Sequence, residues 1–231
     1  MTDTKNAASG LHVGFILDGN RRWAQEKGLS AQEGHKKGFD NFRTIADACL
    51  ERGVSYLSVF AFSTENWNRS KDEVSFLMNF IQLVIKKYIS ELQKKNIRFV
   101  WLGSKDGLDK KIVKLLEKAE IESSNNIAGT ICLCFNYGGQ QEIVDAAICL
   151  QRESKEINVD NLSAAMYGGP EIPPVDLIIR TSGEQRISNF MLWRAAYSEL
   201  YFSDKYWPDF STIDLDNALI DYENRKRRFG K

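Results

Sequence analysis

The sequence predicts one α/β domain with a mostly parallel central sheet flanked by helices. Short apolar runs of strand character alternate along the chain with longer runs of helical spacing. The strand runs are almost continuously apolar, as in a sheet covered on both faces. The unusual polar clusters all follow strands, where ligands bind in such folds. At 231 residues, with no linker, repeat or shift in composition, a single domain is expected.

The first strand carries Val13, Phe15, Ile16 and Leu17 and breaks at Asp18-Gly19-Asn20, residues favoured in a tight turn. A helix resumes around Trp23 and Ala24. Such a strand–turn–helix junction offers free backbone N–H groups to a phosphate. Two readings fit Asp18: a plain helix cap beside solvated arginines, or a metal-bearing acid with Arg21 and Arg22 on a diphosphate. The glycine spacing from Gly14 to Gly19 is that of a nucleotide loop, but Asn20-Arg21 stands where Lys-Ser/Thr is needed. No GxGxxG occurs, so ordinary ATP or NAD binding is disfavoured.

A loop over 28–34 leads to a helix over 35–52, with Phe39, Phe42, Ile45 and Cys49 on one face and Gly53 at its end. A strand over 54–60 runs into the polar segment Ser63-Thr64-Glu65-Asn66-Trp67-Asn68-Arg69. The longest helix, 71–95, carries Val74, Leu77, Ile81, Val84, Tyr88 and Leu92, widened by Phe76, Phe80, Leu83 and Ile85. So broad a face fits either a core helix between two neighbours or the wall of an apolar pocket. A strand over 97–102, a helix over 106–123 and a strand over 130–135 follow, then Asn136-Tyr137-Gly138-Gly139 and a helix over 140–152. After a short helix over 159–167 come a strand over 175–179, a helical stretch over 193–196, a strand over 200–202 and a last helix over 213–225.

Thirty-one basic and 31 acidic residues cancel, so no bulk field draws nucleic acid and no such partner is expected. Cys49, Cys132, Cys134 and Cys149 show no CxxC spacing and read as reduced, buried core thiols of a cytoplasmic protein. Only His12 and His35 are present, which leaves neither a Ser-His-Asp set nor a histidine zinc site. No run of about 18 apolar residues spans a membrane. Residues 1–11 lack a signal-peptide apolar segment and read as a flexible tail before a catalytic domain over 12–231.

The strand ends gather Asp18, Glu65, Glu184, Glu199, Arg21, Arg22, Arg69, Arg180 and Arg186 on one expected rim. Arginines suit bidentate bonding to diphosphate oxygens. One or two carboxylates suit a Mg²⁺ that keeps most of its waters. Beside a broad apolar helix face, that rim points to an amphiphile with a diphosphate head and a hydrocarbon tail.

The blocks Asp18-Gly19-Asn20-Arg21-Arg22-Trp23, Gly34-His35, Phe62 to Arg69, Asn136 to Gly139, Arg180 to Phe190 and Trp207-Pro208-Asp209-Phe210 resemble the cis-prenyltransferase family. Its type member is undecaprenyl diphosphate synthase. The match runs in order over roughly 11–230, and no DDxxD of the unrelated trans-prenyltransferases is present. The resemblance implies an undecaprenyl diphosphate synthase-like fold with an apolar tunnel. It implies Mg²⁺-dependent condensation of isopentenyl diphosphate with an allylic diphosphate, giving a lipid-carrier precursor for cell-wall glycans.

By the same resemblance, Asp18 and Glu199 are the metal pair, and Gly19, Asn20, Arg21 and Arg22 hold the allylic diphosphate. Arg180, Arg186 and Ser188 form the isopentenyl diphosphate site. Ser63 and Asn66 help to remove the proton, with Arg69 nearby. Trp23, His35, Thr64, Glu65 and Trp67 fall in the matching blocks as substrate-binding residues, although Trp23, Trp67 and Trp207 also read as packing anchors. Arg228 and Gly230 match an element that reaches a diphosphate across a homodimer interface. A cytoplasmic enzyme touching the membrane surface for product release is implied. The chain departs from the family pattern at Ala31 (an arginine there), Arg21 (a glycine) and Gln185 (a histidine).

Overall fold

A computed structural model describes residues 10–225. Strand β1 (His12–Ile16) is buried along its whole length. Its continuous burial is why no polar alternation marks it. After it come α1 (Asn20–Glu26), α2 (Ala31–Glu51), β2 (Tyr56–Ser63) and α3 (Lys71–Lys94). β3 (Ile97–Leu102), α4 (Lys110–Ser123), β4 (Gly129–Tyr137), α5 (Gly139–Arg152) and α6 (Val159–Ala165) form the middle. The described part closes with β5 (Leu177–Arg180), β6 (Glu199–Phe202) and α7 (Thr212–Asn224).

The six strands lie in the order β3-β4-β2-β1-β5-β6, and every pairing is parallel. Alternate residues divide between two cores. Val13, Phe15, Leu57, Val59, Phe99 and Leu133 pack with Phe42 and Ile45 of α2, Leu92 of α3, Leu116 of α4 and Leu215 of α7. Ile16, Leu102, Cys132, Cys134 and Ile178 pack on the opposite face with Tyr137, Ile172 and Phe190. From β1 the chain leaves towards β2; from β5 it leaves towards β6. The crevice between the ends of β1 and β5 is therefore a topological switch point, where open α/β sheets bind ligands.

Boundaries moved where local capping overrides apolar spacing. Ser30 accepts the Glu33 N–H while Glu33 returns to the Ser30 N–H, so α2 starts at Ala31 and not at residue 35. Asp109 caps α4, which trims the helix expected from 106. β2 runs past Phe60 through a register shift to Ser63, a bulge that bends a strand end beside a site. The stretch 193–196 forms turns, not a helix. Leu11 is buried and its carbonyl accepts from Ser55 and Tyr56, so the expected tail does not reach residue 11. Cys149 is exposed, against the expectation of a core thiol, while the other three cysteines are buried. Among the described residues, no helix is long and apolar enough to cross a membrane.

Candidate active site

Asp18 stands just past the end of β1. Its Oδ1 accepts the Gly19 N–H at 2.7 Å and Arg22 Nη2 at 3.3 Å; its Oδ2 accepts Arg180 Nη2 at 2.9 Å. Gly19 has φ 101°, and a Cβ there would come 2.6 Å from the Tyr206 ring, so the turn demands glycine. Partial burial pushes the Asp18 carboxyl up, but the Arg180 hydrogen bond and charge, Arg22 and the Gly19 N–H more than offset it. Asp18 is a carboxylate at neutral pH.

Arg180 closes β5 with a buried side chain. Its Nη1 donates to Ser188 Oγ at 2.7 Å and to the Arg186 carbonyl, while its Nε has no partner among the described residues. An orphaned guanidinium N–H at the head of a cavity suits an incoming anion. Arg22 donates to Ser182 Oγ at 2.6 Å and to Glu184 at 3.3 Å, and its guanidinium lies over Tyr206. Arg186 is exposed and tied to Glu184.

Across the crevice, residues Thr64–Asn68 form a 3-10 turn after β2. Asn66 Oδ1 accepts the Ser63 N–H at 3.2 Å, and Glu65 accepts from Asn189 Nδ2 at 2.8 Å. Arg69 donates to Glu73 at 2.7 Å, and Arg21 reaches the same carboxylate at 3.4 Å. His35 Nε2 lies 3.7 Å from Glu73, beyond hydrogen-bond distance. Burial, together with the Arg69 charge, lowers the His35 pKa despite Glu73. It is a neutral imidazole at pH 7.

A cavity of about 670 Å³ opens between these loops on the α2/α3 side of the sheet. Asp18, Asn20, His35, Ser63, Glu65, Asn66, Arg69, Arg180 and Ser188 line its polar mouth. Below them the wall is Leu77, Phe80, Ile81, Val84, Tyr88 and Leu92 of α3, with Phe99, Ile131 and Leu133 from the sheet. The broad face of α3 is thus a pocket wall. Phe76 does not line the cavity; it stacks on Phe80 with ring centroids 5.5 Å apart.

Trp23, Trp67 and Glu199 are among the expected site residues that do not line the cavity. Trp23 is buried and donates to Asp209 at 2.8 Å, which makes it a packing anchor outside the cavity. Trp67 is 38% exposed, donates to Asn136 Oδ1 at 2.7 Å and packs its edge on Phe62, a rim position and not a buried anchor. Glu199 opens β6 opposite Leu177, three register steps before the Arg180–Phe202 pair, and accepts from Arg225 at 2.9 Å. Within this chain it is about 10 Å along the strand from the Asp18 end of the sheet. The expected Asp18–Glu199 pair is therefore not assembled by one chain. Arg228 and Gly230 lie outside the described residues.

No group of three or more His, Cys, Asp or Glu side chains able to hold a metal occurs among the described residues. A Mg²⁺ held through one carboxylate and substrate phosphates needs no such cage. Asp18 fits that role, because it lines the cavity mouth and its Oδ2 accepts only from Arg180 among the bonds above, which leaves that oxygen capacity for a cation. Sequence reasoning missed Glu73, Ser182 and Asn189 as ordering groups. The i,i+4 spacing of Arg69 and Glu73 was a readable signal; Ser182 and Asn189 act through residues distant in sequence.

A family model described as "Putative undecaprenyl diphosphate synthase" matches residues 16–230. An isoprenyl transferase of Fusobacterium nucleatum is 46% identical over 220 residues, 95% of each chain. Isoprenyl transferase 2 of Corynebacterium glutamicum is 43% identical over 225 residues, covering 95% of this chain and 93% of that one. The crystal structure of lavandulyl diphosphate synthase from Lavandula x intermedia, in complex with dimethylallyl diphosphate, superposes with a TM-score of 0.89. It is 35% identical, over 95% of this chain and 98% of that one.

Proposed function

The chain belongs to the undecaprenyl diphosphate synthase family of prenyltransferases, and we propose that it condenses isopentenyl diphosphate with an allylic diphosphate such as farnesyl diphosphate, in a Mg²⁺-dependent reaction, to a cis-polyprenyl diphosphate. The observation that carries this reading is the Asp18–Arg180 contact seated directly above an apolar cavity. A diphosphate head and a hydrocarbon tail need that juxtaposition. The dimethylallyl diphosphate held by the lavandulyl enzyme is an allylic diphosphate of the same chemistry.

In this reading Gly19, Asn20, Arg21 and Arg22 take the allylic diphosphate, whose hydrocarbon end enters the cavity below Phe80. Arg180, Arg186 and Ser188 take isopentenyl diphosphate. Asp18 would hold Mg²⁺, which when bound would supply charge neutralisation on phosphate oxygens. The guanidinium groups of Arg21 and Arg22 face the negative charge that grows on the departing diphosphate. Holding the isopentenyl double bond beside the allylic carbon is a positioning effect. Ser63 and Asn66, at the same mouth, help to pass the proton lost in forming the new double bond to the released diphosphate, the base strong enough to keep it. The apolar lining excludes water from the allylic cation.

A homodimer, brief membrane contact during product release, and use of the product as a cell-wall lipid carrier belong to the same proposal. Incubation with farnesyl diphosphate, labelled isopentenyl diphosphate and Mg²⁺ should yield extended, acid-labile prenyl diphosphates. Absence of label in any product longer than farnesyl would overturn the reading.

A further inference from the structure

Residues 181–191 have no regular secondary structure, yet Ser182, Ser188, Asn189 and Met191 all hold left-handed backbone conformations, with φ 74°, 49°, 66° and 48°. Non-glycine residues adopt that region at a cost and stay there only when neighbours hold them. Asn189 is where the holding converges. Its Oδ1 accepts the Gln140 N–H at 2.8 Å, its carbonyl accepts the Gly139 N–H at 2.7 Å, and its Nδ2 donates to Glu65 Oε1 at 2.8 Å. Segments that follow β2, β4 and β5 meet at this one side chain.

The meeting is close. A Cβ on Gly138 would come 2.5 Å from Thr64 Oγ1 and 2.9 Å from Asn189 Nδ2. Only a short amide offers an acceptor to Gln140 and a donor to Glu65 at once: aspartate lacks the donor and glutamine is a methylene too long. Ser188, the preceding residue, binds Arg180; Glu65 lies in the turn that carries Asn66.

We propose that Asn189 is a positioning residue that keeps the Arg180–Ser188 loop and the Ser63–Asn66 turn at a fixed separation, so that an isopentenyl unit held by its diphosphate presents its departing proton to the acceptor turn. The role rests on the prenyltransferase reading above. It acts through Glu65 and leaves the Gly19–Arg22 turn untouched, so it affects turnover and the isopentenyl substrate, not the allylic one.

The test compares wild type, Asn189→Asp, Glu65→Leu, Glu65→Gln and the double variant Glu65→Gln/Asn189→Asp. Each is assayed with farnesyl diphosphate, isopentenyl diphosphate and Mg²⁺, alongside its thermal midpoint. Asn189→Asp sets two carboxylates face to face and should lower kcat by about 30-fold, with KM for farnesyl diphosphate within about twofold. In the double variant the amide introduced at position 65 donates to the carboxylate introduced at position 189, and kcat should return to within about threefold of Glu65→Gln. Glu65→Leu leaves the backbone bonds of Asn189 in place and should reproduce the kcat loss, which keeps the test open where position-189 variants do not fold. Wild-type kcat in folded Asn189→Asp, no rescue in the double variant, or a loss confined to the farnesyl KM would overturn the role. An inactive wild-type chain would overturn instead the substrate assignment beneath it.

Discussion

Arg180 Nη2 lies 2.9 Å from Asp18 Oδ2 and joins the ends of β5 and β1 across the crevice where the chain turns outward in both directions. The pair has two consequences. It keeps Asp18 ionised in a half-buried setting, and it fixes the acid against a guanidinium whose Nε has no partner among the described residues.

Asp18→Asn keeps the shape of the side chain and an acceptor for Arg180, but removes the charge. Turnover should fall on the order of 10²–10³-fold, the usual effect of losing one electrostatic element at a site. The thermal midpoint should stay near that of wild type. Near-normal turnover in steady-state assays would end the metal role of Asp18.

Metal removal separates chemistry from fold. The Asp18 carboxylate is satisfied by Arg180, Arg22 and the Gly19 N–H without a cation. A chelator should therefore abolish turnover reversibly, with Mg²⁺ restoring it, while far-UV circular dichroism and the thermal midpoint of the chelated protein stay put. A melt that collapses with chelation would assign the cation a structural role.

His12 gives the fold an acid limit remote from the cavity mouth. Burial drives its pKa down to about 4, although the Pro173 carbonyl opposes the shift; Nδ1 lies 2.9 Å from that carbonyl and Nε2 2.7 Å from Ser58 Oγ. The unfolded chain takes up this proton near pH 6.5 and the folded chain only near 4. Stability from this group is present above pH 6.5 and is lost as pH falls towards 4, by about 3 kcal/mol in all. Urea unfolding at pH 7 and pH 5 should differ by about 2 kcal/mol more in wild type than in His12→Gln. Equal differences would show that His12 titrates normally.

Strands were legible because parallel strands buried on both faces read as continuous apolar runs, and residues of the polar clusters after β1, β2 and β5 line one mouth, whereas the cluster Asn136 to Gly139 does not line it. Element ends were less so. Ser30 and Asp109 set helix starts through side-chain bonds that apolar spacing does not register. The 193–196 stretch had helical composition and makes one helix-type bond, from the Ala195 N–H to the Met191 carbonyl, but the Ser198 N–H then closes a tight turn on the Ala195 carbonyl and the chain enters β6 at Glu199. Glu199 was placed with the strand-end acids although it opens its strand; that position alone argued for the far end of the sheet. Asn189 escaped because its partners, Glu65 and Gln140, lie 124 and 49 residues away.

Product length should depend on Phe80 more than on Phe76. Phe80 lines the cavity and meets Phe39 edge-on at 5.9 Å, whereas Phe76 stacks behind it. Phe80→Ala opens the wall and should shift the products towards longer chains by one or more five-carbon units. Phe76→Ala should move the distribution less. Reversed-phase sizing of labelled products reads both, and an unchanged ladder in Phe80→Ala would show that the growing tail does not pass that ring.

Arg194 and Glu142 form a buried ion pair at 2.7 Å, with side chains 5% and 0% exposed, on the sheet face opposite the cavity. Glu142 also accepts from Tyr137, and Arg194 donates to the Tyr167 carbonyl at 2.8 Å. Burial raises the Glu142 pKa, held in check by the Arg194 charge. Arg194→Ala would leave a buried acid without its cation and should cost about 3–5 kcal/mol of stability. Arg194→Met with Glu142→Leu exchanges the pair for apolar volume and should recover most of that loss, since what is expensive is the unpaired charge. Because neither residue lines the cavity, kcat of the double variant should match wild type at temperatures where both are folded. Denaturant midpoints with parallel assays decide the matter: a double variant as unstable as Arg194→Ala would mean that the loss comes from Arg194's bonds to the main chain and not from the stranded carboxylate.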